Sequence, residues 1–246
     1  WITALMFGAA AMVTLALLRE RRPGAVPAHR NRSGWLVTWR QLRQSLLRAT
    51  AYPDFMWLLA CAVAYQAGVA VTIALAAIYA EQVIGFAPQE TMVLIFVLNI
   101  AAAAGAFLFG YGQDRIGHKL ALGLTLIGWT LTCVMAALTT TKEGFWYAAA
   151  IAGICMGASQ SSGRAMAGLL APATRLAEFY GLWTFATRLA SILGPLTYGL
   201  VTLVTDGNQR LAISVTAVMF ILGLLLLYPV NLARGQRRAL ACGGTQ

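Results

Sequence analysis

The chain has 246 residues, of which 59% are hydrophobic and only 11% are charged. A soluble domain usually carries about 25% charged residues, so this composition excludes the soluble and the disordered classes. Seven stretches contain at most one charge each, and their lengths are close to or above the roughly 20 residues that a helix needs to cross a bilayer. They are residues 1–18, 55–80, 91–113, 120–141, 144–163, 179–205 and 211–233. The sequence therefore predicts an all-α, polytopic helical membrane protein, and not a barrel of short alternating strands.

The net charge of +10 is distributed unevenly along the chain. Of the 18 lysines and arginines, 15 lie in the alternate segments 19–54, 114–119, 164–178 and 234–246, and two lie in 81–90, 142–143 and 206–210. Cytoplasmic loops of membrane proteins carry such an excess of cations, so the four segments with 15 cations are expected on the cytoplasmic side. The charge thus indicates membrane topology, and it predicts no nucleic-acid partner.

The first span has no basic segment before it, because the chain opens on Trp1. A signal peptide would have that basic segment, so we expect the chain to begin partway into a longer protein. Residues 19–34 are charged and contain Pro and Gly, which predicts a linker. Apolar residues then recur at helical spacing and predict an amphipathic helix over 35–48 in the membrane interface.

The strongest local motif lies between the third and fourth spans. Gly110, Asp114, Arg115, Gly117 and Lys119 form the pattern Gly-xxx-Asp-Arg-x-Gly-x-Lys. Gly117 allows a tight turn. The Asp114 carboxylate can interact with a helix N-terminus or with an Arg of a neighbouring loop. Arg115 and Lys119 can interact with the anionic lipids of the inner leaflet. The spacing resembles the loop signature of the major facilitator superfamily of secondary transporters, in which it joins the second and third helices of each half.

Further motifs narrow the resemblance, which covers residues 53–228. They follow in order at 160–172, 178–181, 193–199 and 208–210. Together they resemble the branch that contains the autophagy-related vacuolar amino-acid effluxers and their bacterial relatives. The resemblance implies a secondary active transporter that moves a small solute, amino acids being the expected class, by alternating access. The expected direction is export, across a bacterial inner membrane.

The resemblance also implies a domain organisation. Residues 55–233 correspond to the six-helix C-terminal bundle, and residues 1–18 to the last helix of the missing N-terminal half. Residues 19–54 then join the halves in the cytoplasm, and 234–246 form a cytoplasmic tail. The expected partners are membrane lipid, a small-molecule substrate and the missing half. A natural half-size protein that acts as a homodimer is the alternative.

Two positions depart from the pattern of the branch. Ala67 stands beside Gly68 where an acidic residue is usual in the first helix of this half, and Gln113 stands where a second acid is common in the loop. Without the intramembrane carboxylate, proton coupling through this half is in question.

Polar residues inside spans are costly, which makes them candidates for function. Arg188 is the only full charge inside a span; its insertion costs about 2.5–3.5 kcal/mol at the bilayer centre. We expect it to bind an anionic part of the substrate or to form a gate ion pair, unless it snorkels or pairs with Asp114 or Glu178. The other substrate-path candidates, which alternatively bond between helices, are Tyr65, Gln66, Asn99, Gln160, Trp183 and Thr184.

One more feature of the spans concerns backbone geometry. Gly194 and Pro195 lie within the sixth of the seven predicted spans. Proline removes a helical hydrogen bond and clashes with the preceding turn, so a kink is expected there. The kink is either static or a hinge for gating.

Enzyme activity finds no support in the sequence. His29 and His118 both lie in predicted inner segments, no ligand spacing predicts a metal site, and no phosphate-binding loop is present. The four cysteines are scattered without disulfide or metal spacing. We expect no cofactor. The alternative to transport is a membrane-embedded sensor or binding module, and the sequence upstream of residue 1 would distinguish the two.

Overall fold

The computed structural model describes residues 8, 11–12 and 35–241. Residues 1–39 belong to one compact unit and residues 40–246 to another. In the first unit, Gly8, Ala11 and Met12 are helical. The rest of the predicted first span, the linker before residue 35 and the end of the tail lie outside the described residues.

All regular structure in the described part of the chain is helical. The helices are α1 (Trp35–Ala49), α2 (Pro53–Tyr79), α3 (Pro88–Ile116), α4 (His118–Leu138), α5 (Lys142–Leu170), α6 (Leu176–Val204), α7 (Gln209–Leu227) and α8 (Leu232–Ala241). A π-helical turn, Ala80–Ile84, extends α2, and a 3₁₀ turn, Ala173–Arg175, precedes α6. Six long helices therefore occupy the region where six spans are predicted, and α1 covers the predicted amphipathic helix.

Five of the long helices are apolar enough to cross a membrane: α2, α3, α4, α6 and α7. The helix α5 has 29 residues but is not among the five. Its glycines and its polar residues from Ser159 onward lower its hydropathy, and the side chains of Ser159 and Ser162 are fully buried against protein. The span predicted over 144–163 is therefore supported by its length and not by its composition.

The long helices of the second unit pack against one another in pairs. The helix α5 packs against α3 and α4, α4 packs against α7, and both α6 and α7 pack against α2. Aromatic rings fill the centre, where Trp129 of α4 stacks on Phe220 of α7 with 5.1 Å between ring centroids. The indole nitrogen of Trp129 donates a hydrogen bond to the Ser159 hydroxyl at 3.5 Å, so α4, α5 and α7 share one core.

Glycines set how closely the helices approach. A Cβ atom at Gly157 would collide with the backbone carbonyl of Ala102, and one at Gly105 would collide with that of Ile154. Across the α2–α6 interface, a Cβ at Gly194 would collide with the Ala67 carbonyl. These contacts are between backbones, which cannot yield as side chains do. They explain the abundance of small residues in these spans.

One end of the bundle is closed by a charged contact. The Asp54 carboxylate is almost fully buried and accepts two hydrogen bonds from the Arg234 guanidinium, at 2.6 and 2.9 Å. The backbone N–H of Asn231 donates a third, at 2.8 Å. The hydrogen bonds that Arg234 makes to Asp54 and the negative charge of Asp54 raise the pKa of Arg234 above its usual value. The contact fixes α8 to the start of α2.

We predict that Gly157→Ala destabilises the bundle by about 1–3 kcal/mol, because the added methyl group must push α3 and α5 apart. The control is Gly199→Ala, since a Cβ at Gly199 meets open space. The unfolding temperature of the purified full-length protein measures both. Equal unfolding temperatures for the two variants would contradict the role of backbone contact at Gly157.

Candidate functional site

A groove of about 620 Å³ opens between α2, α5 and α6. We call it the central groove. The polar residues that line it are Gln66 from α2, Gln160 and Arg164 from α5, and Tyr180, Thr184, Thr187, Arg188 and Ser191 from α6, together with Trp183. Its apolar lining comes from Val69, Ala70 and Ile73 of α2.

The contribution of α6 follows from helical periodicity. Thr187 and Arg188 each lie three or four residues from Thr184 and from Ser191, so all four lie along one side of the helix. The Thr184 hydroxyl donates to the Tyr180 carbonyl at 2.8 Å, and the Ser191 hydroxyl donates to the Arg188 carbonyl at 2.7 Å. With their protons committed to the backbone, these hydroxyl oxygens have lone pairs available to accept from a solute.

Two amides connect α2 to α5 at the groove. Gln160 donates to Gln66 at 3.1 Å, and Gln66 donates back at 3.4 Å. Gln66 also lies 3.4 Å from the hydroxyl of Tyr65, whose side chain is fully buried behind it. Tyr65 therefore supports Gln66 from the core and is not among the residues that line the groove.

The central groove has a positive lining. Arg164 and Arg188 are both exposed, and within residues 42–241 neither guanidinium has a hydrogen bond or an ion pair. Glu178 is instead 3.9 Å from Arg48, and Asp114 is 3.9 Å from His118, so Arg188 pairs with neither acid. None of the described lining residues is acidic.

Arg164 was not expected in this groove, because the sequence predicts a connecting segment from residue 164. The structure corrects this: α5 continues to Leu170, so Arg164 is helical. Gln160 and Arg164 are four residues apart, which places both on one helix face. That spacing from Gln160 could have predicted Arg164 as a groove residue. In the same way, Tyr180, Thr187 and Ser191 lie three or four residues from Thr184 or Arg188, which the sequence had already indicated.

Asn99 lies apart from the other path candidates. It lines a smaller cavity of about 170 Å³ between α2, α3, α4 and α5. Its side-chain amide donates to the Ile95 carbonyl of its own helix at 2.8 Å. Ile73 is the residue that both cavities share. Gly194 and Pro195 lie in α6 beyond the groove, and the helix continues through both.

The motif at residues 110–119 does not form a loop over its whole length. It contains a tight turn between α3 and α4. The helix α3 includes Gly110, Asp114 and Arg115, and it ends at Ile116. Only Gly117 separates it from α4, with φ +91, a conformation that favours glycine. On the other side of the turn, the Lys119 ammonium donates to the Tyr228 carbonyl at 2.7 Å and so connects α4 to the end of α7.

The bundle of membrane-length helices has the fold of a major facilitator transporter. A crystal structure of a bacterial homologue of the human lysosomal transporter Spinster, inward-facing and unoccupied, matches it with a TM-score of 0.63 at 16% identity. The match covers 94% of this chain and 57% of that one. The family described as "Vacuole effluxer Atg22 like" matches residues 1–240, and the chain belongs to this family.

Two curated relatives show the same affiliation. The chain is 25% identical over 190 residues to the uncharacterized MFS-type transporter YxiO of Bacillus subtilis, covering 77% of this chain and 44% of YxiO. It is 26% identical over 235 residues to autophagy-related protein 22-1 of Penicillium rubens, covering 89% of this chain and 39% of that protein. The chain thus spans less than half the length of either relative. The resemblance stated from the motifs is confirmed at the level of family and fold.

We predict that the central groove is wet in the full-length protein. In a background with Cys242→Ala, a water-soluble maleimide should label Ser191→Cys, which lines the groove, and should label Ile192→Cys poorly. Ile192 is 65% exposed but lies outside the groove, where we expect lipid. Cys61, Cys133 and Cys155 are buried and should give little background. Equal labelling of the two neighbours would contradict a water-filled groove.

Proposed function

We propose that the chain is part of a secondary active transporter and that the central groove is one wall of its solute path. The observation that carries this proposal is the pair of guanidiniums, Arg164 and Arg188, which have no partner within residues 42–241 and line a groove between the long helices α2, α5 and α6. Charges in that position are costly and are retained where they bind something. Membership of a family of effluxers and the fold of its structural neighbour support the same function.

The chemistry of the groove suits a small solute with a carboxylate. A guanidinium binds a carboxylate through two parallel hydrogen bonds, and Arg188 is free to do so. The hydroxyl oxygens of Thr184 and Ser191 can accept from a donor group such as an ammonium, because their own protons bond to the helix backbone. An amino acid has both groups. We propose amino acids as the substrate class on this chemistry. We propose export as the direction, in keeping with the word effluxer in the family's description.

We further propose that the other wall belongs to a missing N-terminal half. The two bundles would then rock about the groove in alternating access. Ala67, at the position usual for an acid, is buried against Gly194. With no carboxylate among the described lining residues, we assign any proton coupling to the other half. By the cation bias, we place α1, α8 and the α3–α4 turn on the cytoplasmic side of a bacterial inner membrane.

Arg188→Ala in the full-length protein should reduce transport efficiency by about ten- to 150-fold. This range corresponds to the loss of a hydrogen bond to a charged group, about 1.5–3 kcal/mol. Efflux from proteoliposomes loaded with a mixture of metabolites, resolved by mass spectrometry, measures the change and identifies the solute. The control is Arg237→Ala, an exposed arginine on α8 away from the groove. Unchanged transport by Arg188→Ala, with normal expression, would refute the proposed role.

Proteoliposomes that contain only this chain should show no solute transport, because one wall cannot enclose a solute. The control is the full-length protein, reconstituted at the same protein-to-lipid ratio. Transport by the 246-residue chain alone would instead support a half-size protein that pairs with itself. Solute binding without transport by the full-length protein would support a sensor or binding module.

A further inference from the structure

A second groove, of about 490 Å³, lies on the outside of the bundle between α4 and α7. We call it the lateral groove. Leucine and isoleucine side chains form its walls: Leu120, Leu124 and Ile127 from α4, and Leu224, Leu227 and Leu232 from the opposite side. It is separate from the central groove, with which it shares no lining residue. The inference that follows does not depend on the proposed transport function.

The polar end of the lateral groove is formed by Lys119. Its ammonium donates to the Tyr228 carbonyl at 2.7 Å and lies 5.8 Å from the centre of the Tyr228 ring. Both contacts hold the charge at the mouth of the groove. An ammonium has three donors, so two remain for a ligand. The lining residues include no acid that would neutralise the charge.

The dimensions of the groove match one leaflet of a membrane. Lys119 is the second residue of α4, and Tyr228 directly follows the last residue of α7. The charge is therefore placed where two membrane-length helices end, at the depth of lipid headgroups. From Lys119 to Ile127 the α4 axis rises about 12 Å. The hydrocarbon of one leaflet is about 15 Å thick.

We propose that the lateral groove binds an anionic phospholipid, with one acyl chain along the leucines and the phosphate against Lys119. The ammonium, which faces no acid among the described lining residues, supplies the charge complementarity, and Arg115 lies four residues earlier in the chain, at the end of α3. An exposed cation near an anionic headgroup contributes about a fivefold preference. A tethered lipid here would hold α4 against the end of α7 and the start of α8.

The absence of a side chain at Gly123 keeps the groove open. A Cβ atom there would lie 3.8 Å from both Leu224 and Leu227, which is ordinary contact and not a collision. A leucine at this position would therefore project into the groove and occupy the space of an acyl chain. Gly123→Leu tests the apolar part of the site, and Lys119→Gln tests its charge.

The chain has only two lysines, Lys119 and Lys142, and this permits a test on the unaltered protein. Lys142 lies at the opposite end of the bundle, paired with Glu90. We would measure the acetylation of both lysines in the full-length protein in nanodiscs of phosphatidylglycerol or of phosphatidylcholine. Phosphatidylglycerol should slow acetylation of Lys119 about fivefold relative to Lys142. Equal relative rates in the two lipids would overturn the proposal.

Variants then locate the lipid. Native mass spectrometry of the full-length protein should show retained phosphatidylglycerol, which Lys119→Gln and Gly123→Leu each remove. Gly199→Leu is the matched control, because Gly199 also faces open space but lies on α6, away from the groove. Retention by Lys119→Gln or by Gly123→Leu at the level of Gly199→Leu would overturn the proposed site. If a variant fails to fold, the acetylation experiment on the unaltered protein still decides.

Discussion

Contact between helix backbones is the constraint on which the rest of this structure depends. Gly157 lies against the Ala102 carbonyl, and Gly194 lies against that of Ala67, so two helix pairs meet without intervening side chains. In a bilayer the hydrophobic effect does not drive helices together, and close packing takes over that role. The α6 residues that line the central groove, which lie between Tyr180 and Ser191, precede this close approach of α6 to α2.

The two grooves show how the protein uses its few charges. In the central groove, Arg164 and Arg188 have no partner in the described part of the chain, and the polar groups around them face a space large enough for a small solute. At the end of α7, Lys119 has a carbonyl partner and an apolar groove beside it, which suits a lipid and not a soluble molecule. Some other charges are paired, as in the Asp54–Arg234 contact that closes one end of the bundle. Both proposed binding sites therefore contain a cation that faces no acid among the described lining residues.

Much of the candidate site could be predicted from single residues, since an arginine or a glutamine in an apolar span is conspicuous. The sequence led to Arg188, Gln66 and Gln160, and the structure brings all three to one groove. The sequence did not predict that Asn99 lines a different cavity, because it does not show which helices are neighbours. Arg164 was missed for a different reason: its charge ends the uncharged stretch 144–163, so the sequence predicts a connecting segment there, whereas α5 extends to Leu170.

The sequence by itself determined the class of protein, the approximate positions of the six long helices and the family. Hydropathy in stretches of about 20 residues depends only on local composition, and the motif of Gly110 to Lys119 is contiguous in the chain. The tertiary structure alone decided which helices are neighbours, that Gln66 bonds to Gln160 across 94 positions, and that Lys119 reaches Tyr228. These contacts depend on how closely α2, α5 and α6, or α4 and α7, approach each other. That distance is set by steric fit between distant segments, which no local pattern encodes.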